Sequence, residues 1–341
     1  MLPSVIASMH HAGAGAVATI SHVKNEELAR LDAEVRRGTF GRITSTVTAQ
    51  RGRVVHEVYF DGDVGTLRNT RSATKSVAGM LVGIAIERGD LPGVGAPLFS
   101  FFEDLAPFAH DGAAKRAVTL EDLLTMSSGL DCDDGDPESP GNEELMYETP
   151  DWLRFALDLP MRSMADQGIW RYCTAGVTAL AGVLEHATRQ PVEEFARQHL
   201  FAPMDIEDAR WFRSPTGLVQ TGGGLEMRSR DLLALGQLML DEGVHGDRRI
   251  LPADWVRTSL APHRRVADAT DYGYLWWLRT LPSGSTTTRA AMMQGNGGNK
   301  VVVLPELEAV VVITSTNFST QGMHEWTDAM LVDYLLPVLS G

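Results

Sequence analysis

Ser72-Ala73-Thr74-Lys75 runs directly into Ser76-Val77-Ala78-Gly79-Met80-Leu81-Val82-Gly83-Ile84-Ala85-Ile86, and this junction decides how the chain is read. The apolar run has the composition of a buried helix, and on a helix residues three apart share one face. The Ser72 hydroxyl and the Lys75 amine are therefore placed to meet. Burial among apolar neighbours disfavours a charged lysine, so the Lys75 amine can be neutral and basic. A serine at a helix start also has backbone N–H groups and the positive dipole end beside it, suited to a developing oxyanion. One turn of chain thus offers a nucleophile, a base and part of an oxyanion hole.

The same S-x-x-K spacing occurs at Ser21-His22-Val23-Lys24. There it is followed by Asn25-Glu26-Glu27-Leu28-Ala29-Arg30-Leu31-Asp32, a charged amphipathic pattern that predicts a surface helix and a solvated lysine. Only Ser72 has the apolar context that favours chemistry.

The 341 residues allow one large domain or two intertwined ones, and 44% hydrophobic with 22% charged residues is an ordinary globular balance. A net charge of −14 argues against nucleic acid and anionic membranes as partners. No run approaches the ~18 apolar residues of a membrane span. The first residues, Met1-Leu2-Pro3-Ser4-Val5-Ile6, lack the basic start of a signal peptide, which points to the cytoplasm. Cys132 and Cys173 fit that compartment as two small buried hydrophobes, although they could pair.

Two β-rich runs, 43–50 and 53–60, joined at Arg51-Gly52, predict a hairpin. The Ser72 helix should end at Glu87-Arg88-Gly89. From about residue 115 the pattern turns helical. Thr119-Leu120-Glu121-Asp122 reads as a capped start, and helices are expected near 149–158, 175–187, 191–200 and 229–243. Strands return at 274–278, 301–304 and 309–314, and a last helix covers about 322–338. Strands at both ends with helices between them predict an α/β chain of the α+β type. Its antiparallel sheet is built from both termini, flanked by helices and interrupted by a mostly helical insertion. The expected division is 1–95 with 268–341 for the sheet unit and 96–267 for the helical one, with the site in the cleft between them.

Several motifs follow in order: the hairpin, Ser72-x-x-Lys75, Leu123-Leu124-Thr125-Met126-Ser127-Ser128-Gly129-Leu130, Gly168-Ile169-Trp170-Arg171-Tyr172-Cys173-Thr174, Thr221-Gly222-Gly223-Gly224, Tyr272-Gly273-Tyr274-Leu275-Trp276-Trp277, and Gly295-Asn296-Gly297-Gly298. This ordered set, over roughly residues 40–335, resembles the serine β-lactamase and penicillin-binding-protein superfamily. It is most similar to the class C-like branch of esterases, D-peptidases and 6-aminohexanoate-dimer hydrolases. The resemblance implies a serine hydrolase that cleaves an ester, amide or peptide bond in a small molecule through an acyl-enzyme. Alternatives on the same machinery are an acyltransferase, a β-lactamase or a D-peptidase. A non-catalytic binding module on the same fold is a third reading, against which the intact Ser72, Lys75 and Tyr172 stand. By resemblance Ser72 is the nucleophile, Lys75 its partner and Tyr172 the general base. The oxyanion hole would use the backbone N–H groups of Ser72 and Asn299, beside Gly297 and Gly298. No metal or organic cofactor is implied.

Two positions depart from the family pattern. Thr174 stands where Y-x-N has asparagine, and Asn296 stands where the third motif commonly has lysine or histidine. The second change removes a cation, so neutral substrates are expected over anionic ones. Tyr147 is a rival for Tyr172, which the Gly-x-Trp lead-in and the small-residue helix after it favour. Asp131, Asp133, Asp134 and Asp136 fail the EF-hand spacing at Gly135 and read as a solvated acidic loop at the cleft mouth. Gly13-Ala14-Gly15-Ala16 lacks the βαβ context of a dinucleotide site, no H-E-x-x-H or G-x-S-x-G occurs, and Trp276-Trp277 reads as core with one ring facing each way.

Overall fold

The computed structural model describes residues 25–163, 166 and 168–341. Its largest element among those residues is an eight-stranded antiparallel sheet. The strands are β1 (Ile43–Gln50), β2 (Arg53–Tyr59), β3 (Arg264–Ala267), β4 (Thr270–Tyr272), β5 (Trp277–Ser283), β6 (Thr286–Gly295), β7 (Asn299–Leu304) and β8 (Ala309–Ser315). Their spatial order is β2-β1-β8-β7-β6-β5-β4-β3. The two ends of the chain meet in the sheet where β1 pairs with β8, with Val47 opposite Val312. Strands from both ends of the chain therefore build it, as the α+β pattern predicts. The β1–β2 turn has Arg51 at φ 51° and Gly52 at φ 71°, the mirror-image turn that matches strand twist.

Successive side chains in β7 and β8 pass to opposite faces. Val301, Val303, Val310 and Val312 enter one core, and Val302, Leu304, Val311 and Ile313 enter the other. Both faces are covered, which is why these strands are unbroken apolar runs. On the first face lie α2 (Thr74–Glu87) and α4 (Ser229–Leu240), and α3 (Thr174–Thr188) packs against α2 in the same core. On the second lie α1 (residues 25–36), through Leu28, Leu31 and Val35, and a C-terminal helical run, α5 (residues 323–340). Helix α4 sits directly on the sheet because Gly236 has no side chain; a Cβ there would fall 2.5 Å from a Val310 methyl. Thr119 caps Leu120–Leu124 with a reciprocal bond to Asp122, the expected capping box.

The strand expected from Tyr274 begins only at Trp277. Leu275 is left-handed (φ 62°), and its N–H donates to the Leu124 carbonyl at 2.9 Å, so 274–276 serve a tertiary contact rather than the ladder. The long β6 and the short β3 and β4 were not foreseen.

Candidate active site

Ser72 lies in a 3₁₀ turn, Arg71–Ala73, and α2 begins two residues after it. Helix α2 is buried from Thr74 to Ala85, as its all-round apolar sequence requires. Arg71 is held at φ 51°, a conformation unusual for a side-chain-bearing residue. Three contacts hold it: its N–H donates to Asn69 Oδ1 at 2.9 Å, its carbonyl accepts from Thr74 Oγ1 at 2.6 Å, and its guanidinium stacks 3.9 Å from the Phe318 ring centre. The turn leaves Ser72 at the floor of a cavity of about 450 Å³, lined also by Asp133, Asp134, Trp170, Tyr172, Trp277, Gln294 and His324.

Lys75 is 1% exposed. Its Nζ donates to Ser72 Oγ at 3.0 Å, to Thr174 Oγ1 at 2.9 Å and to the Gly222 carbonyl at 2.6 Å. It also sits 4.7 Å from the Tyr172 ring centre. The ring of Tyr172 stacks on Trp277 at 5.8 Å. Ser72, Lys75, Tyr172 and Thr174 are therefore brought together, the first from the 3₁₀ turn, the second from α2, Tyr172 from the loop before α3 and Thr174 from its first position. Tyr147 is set behind them. Its hydroxyl is 3.2 Å from Glu143 and 3.5 Å from Gln220, its ring packs on Trp152 and Phe212, and burial pushes its pKa well up.

The third motif is placed differently from expectation. Gly295, at the end of β6, is the residue in contact with the serine turn; a Cβ there would lie 2.2 Å from the Thr70 carbonyl and 3.2 Å from the Ala73 nitrogen. Gln294, Gly295 and Asn296 line the cavity, whereas Gly297, Gly298 and Asn299 do not. Asn299 is 3% exposed on β7, and its side chain bonds the Asn296 carbonyl and the Ser315 backbone. Residues 296–298 form a turn after β6, and of the expected oxyanion segment Asn296 lines the cavity with Ser72 while Asn299 lies beyond it on β7. The Asn296 side chain is also engaged elsewhere, accepting the Ser319 N–H at 2.7 Å.

The acidic loop is more ordered than expected. Asp134 N–H donates to the Tyr172 carbonyl at 2.8 Å, and its carboxylate accepts the Thr174 N–H at 2.8 Å and the Glu143 N–H at 3.0 Å. Desolvation pushes the Asp134 pKa up to about 6. Asp131 pairs with Arg162 at 3.0 Å and Asp133 with Arg171 at 3.5 Å. Between these contacts Cys132 and Cys173 form a disulfide with Cα atoms 5.3 Å apart. That corrects the expectation of two reduced cysteines and removes their support for a reducing compartment. The loop is zipped against Tyr172-Cys173-Thr174, which brings together residues far apart in sequence.

His324, from the start of α5, was missed altogether. It lines the cavity with a buried Nδ1 that has no partner, and burial together with the Lys300 charge pushes its pKa down to about 4. Trp276 is core, 1% exposed, while Trp277 faces the cavity. The Ser21 quartet, the Gly13 run and the N-terminal stretch lie outside the described residues. Among the described residues no helix is long and apolar enough to cross a membrane.

The beta-lactamase family model matches residues 44–334, and the chain belongs to that family of hydrolases. It is 28% identical to the 6-aminohexanoate-dimer hydrolase of Paenarthrobacter ureafaciens over 284 residues, 77% of this chain and 70% of the relative. The penicillin-binding protein of Bacillus halodurans superimposes with a TM-score of 0.68 at 17% identity, covering 88% of this chain and 98% of that one. EstCE1, described as a hydrolase with promiscuous acyltransferase activity, does so with a TM-score of 0.69 at 14% identity, covering 90% and 99%. The shared fold is that of the family.

Proposed function

We propose that this chain is a serine hydrolase cleaving an ester or amide bond through a covalent acyl-Ser72 intermediate. The site lies in a cleft between the sheet unit and the helical segment that follows α2; the expected boundary at 267 falls inside the sheet, since Arg264–Ala267 pairs with Thr270–Tyr272 as its edge strand. The observation that carries the reading is Lys75 Nζ at 3.0 Å from Ser72 Oγ, at the floor of a cavity beside Tyr172. Ser72 Oγ attacks the carbonyl carbon, its proton passes to the Tyr172–Lys75 pair, and the leaving nitrogen or oxygen takes that proton as the tetrahedral species collapses. Water then attacks the acyl-enzyme along the reverse path. The oxyanion is held by the N–H of Ser72 and the N–H of Asn296. Gly295 is required because only a residue without a Cβ lets β6 approach the serine turn.

The substrate class is a neutral ester or a linear amide. The likeness to a 6-aminohexanoate-dimer hydrolase supports the amide, and the cavity wall of Asp133, Asp134 and Glu143 disfavours an anion beside the scissile bond. Acyl transfer to an alcohol or amine would use the same acyl-enzyme and differs only in the acceptor. Labelling with a fluorophosphonate, followed by a panel of short esters, linear amides, D-amino-acid amides and β-lactams with and without added amine, tests the reading. Loss of every activity in Ser72→Ala supports it, and an unchanged Ser72→Ala enzyme rejects it.

A further inference from the structure

Two of the residues that meet at Ser72, Tyr172 and Thr174, have Cys173 between them, and Cys173 is half of a disulfide made by the two cysteines of the chain. Residues 169–173 belong to no helix or strand, so no ladder fixes the backbone of Tyr172. The facing wall, residues 131–136, is irregular as well, and it brings Asp133 and Asp134 to the cavity. Three neighbouring ties join the two segments. The Asp134 N–H donates to the Tyr172 carbonyl at 2.8 Å, Cys132 is bonded to Cys173, and the Asp134 carboxylate accepts the Thr174 N–H at 2.8 Å. Only the middle tie is covalent. Its two residues are 1% and 5% exposed and do not line the cavity.

We propose that the Cys132–Cys173 disulfide is a positioning crosslink of the active site: it holds Tyr172 and Thr174 in place against Ser72 and Lys75, and turnover depends on its being oxidised. The inference rests on the acyl-Ser72 reading and extends it with two residues that act through their neighbours. Hydrogen bonds between irregular segments open locally, whereas a covalent bond does not. With the bond made, the wall and Tyr172 move together, and the tyrosine ring stays over Lys75, 4.7 Å from its Nζ. With the bond broken, the segments keep their hydrogen bonds and the Asp133–Arg171 pair alone. Misplacement of a reacting group by about 1 Å costs on the order of 10²-fold in rate. The fold has no comparable need of the bond. Both residues pack in the large apolar core, and the Cys173 sulfur caps α3 by accepting the Gly176 N–H at 3.2 Å, which a serine hydroxyl also accepts.

A dithiol reductant opens the crosslink in two steps. One reductant thiolate attacks a cystine sulfur, the Cys132–Cys173 bond breaks, and a mixed disulfide forms with one protein thiol released. The second reductant thiolate then displaces the remaining protein sulfur. The products are two cysteine thiols and one cyclic disulfide of the reductant, so two electrons and two protons pass to the protein. Both sulfurs are buried, so attack waits on local opening of the wall and is slow in the folded chain.

The test compares three forms: the oxidised chain, the chain reduced with dithiothreitol and freed of it in oxygen-free buffer, and Cys132→Ala/Cys173→Ser, which lacks the bridge but keeps a cap on α3. Iodoacetamide adducts on the denatured chain, counted by intact mass, report the redox state: none when oxidised, two when reduced. Fluorophosphonate labelling of Ser72 and hydrolysis of p-nitrophenyl butyrate report the site. Reduction is expected to lower the labelling rate and kcat by at least ~10-fold with KM changed less, and reoxidation to restore both. The double variant should start at the low rate and ignore the reductant. In Tyr172→Phe, whose hydroxyl is already gone, reduction should change labelling by less than ~3-fold, which a general loosening of the fold would not produce. A reduced chain or a double variant at the full rate overturns the proposal, as does a fully active purified chain that already takes two adducts. Loss of far-UV circular dichroism in the bridge-free forms also overturns it, since the bond would then hold the fold and not the site. If the bridge resists the reductant, the double variant decides. If Ser72→Ala stays active the hydrolase reading itself fails; if Ser72→Ala is dead and the reduced chain is fully active, only the role of the crosslink fails.

Discussion

At the scale of single residues, the meeting of Ser72 with Lys75 was legible because an i, i+3 pair at the entrance to a buried helix is a local fact. Tyr172 was legible only through the order of motifs. Its position is set by contacts that no local pattern encodes, Trp277 on one side and Lys75 on the other. Asp134 was misread as solvated because its partners, the N–H groups of Thr174 and Glu143, are backbone atoms that carry no sequence signal. His324 was invisible for a similar reason: a lone histidine at a helix start acquires meaning only from the cavity it faces. The roles of the two tyrosines are separable. Lys75→Ala and Tyr172→Phe should each lower kcat/KM by at least ~10², the scale of losing a general base. Tyr147→Phe should cost much less, since its hydroxyl meets Glu143 and Gln220 rather than Ser72. Steady-state kinetics on a short ester decides this; a greater loss in Tyr147→Phe would contradict the assignment.

At the scale of elements, the two-faced valine strands and the all-round apolar α2 were clear in the sequence, because burial on both sides leaves no polar alternation to confuse the pattern. Strand β6 was not clear. Its half Thr286-Thr287-Thr288-Arg289 is polar and its half Ala290-Ala291-Met292-Met293 is as suited to a helix as to a strand. Yet β6 carries Gly295 to the serine turn, so the element that sets the third motif was the one least legible. Helix α4 offers a test of close packing. Gly236→Val would drive a branched side chain against Val301 and Val310, where even a Cβ falls 2.9 Å and 2.5 Å from their methyls. Overpacking of this kind costs about 1–3 kcal/mol. Urea unfolding should show a lower midpoint at unchanged slope, and an unchanged midpoint would contradict the described seating of α4.

At the scale of the whole molecule, the fold brings strands from both chain ends under a helical layer and leaves the serine turn at the bottom of an opening with aromatic and acidic walls. Of the cavity's titratable side chains, Asp133, Asp134 and Glu143 are acids, and His324 is held neutral above pH 5 by its low pKa of about 4. Asp133 is paired with Arg171 and Asp134 feels Lys75, whereas Glu143 has no ion pair among the described residues, so a carboxylate-bearing substrate meets repulsion chiefly from Glu143. Short neutral esters should exceed nitrocefin in kcat/KM by ~10² or more, a difference of about 2.7 kcal/mol in transition-state stabilisation. Glu143→Gln should narrow the gap by improving nitrocefin more than the ester. Nitrocefin turnover above the ester rate in the unaltered protein would contradict this account of the cavity. The central claim is that Ser72 carries the acyl group, and intact-mass spectrometry after rapid acid quench of a reaction with p-nitrophenyl butyrate tests it most directly. The account predicts a single butyryl adduct on the wild-type chain, localised to the peptide containing Ser72, and none on Ser72→Ala. An adduct of equal yield on Ser72→Ala would contradict it.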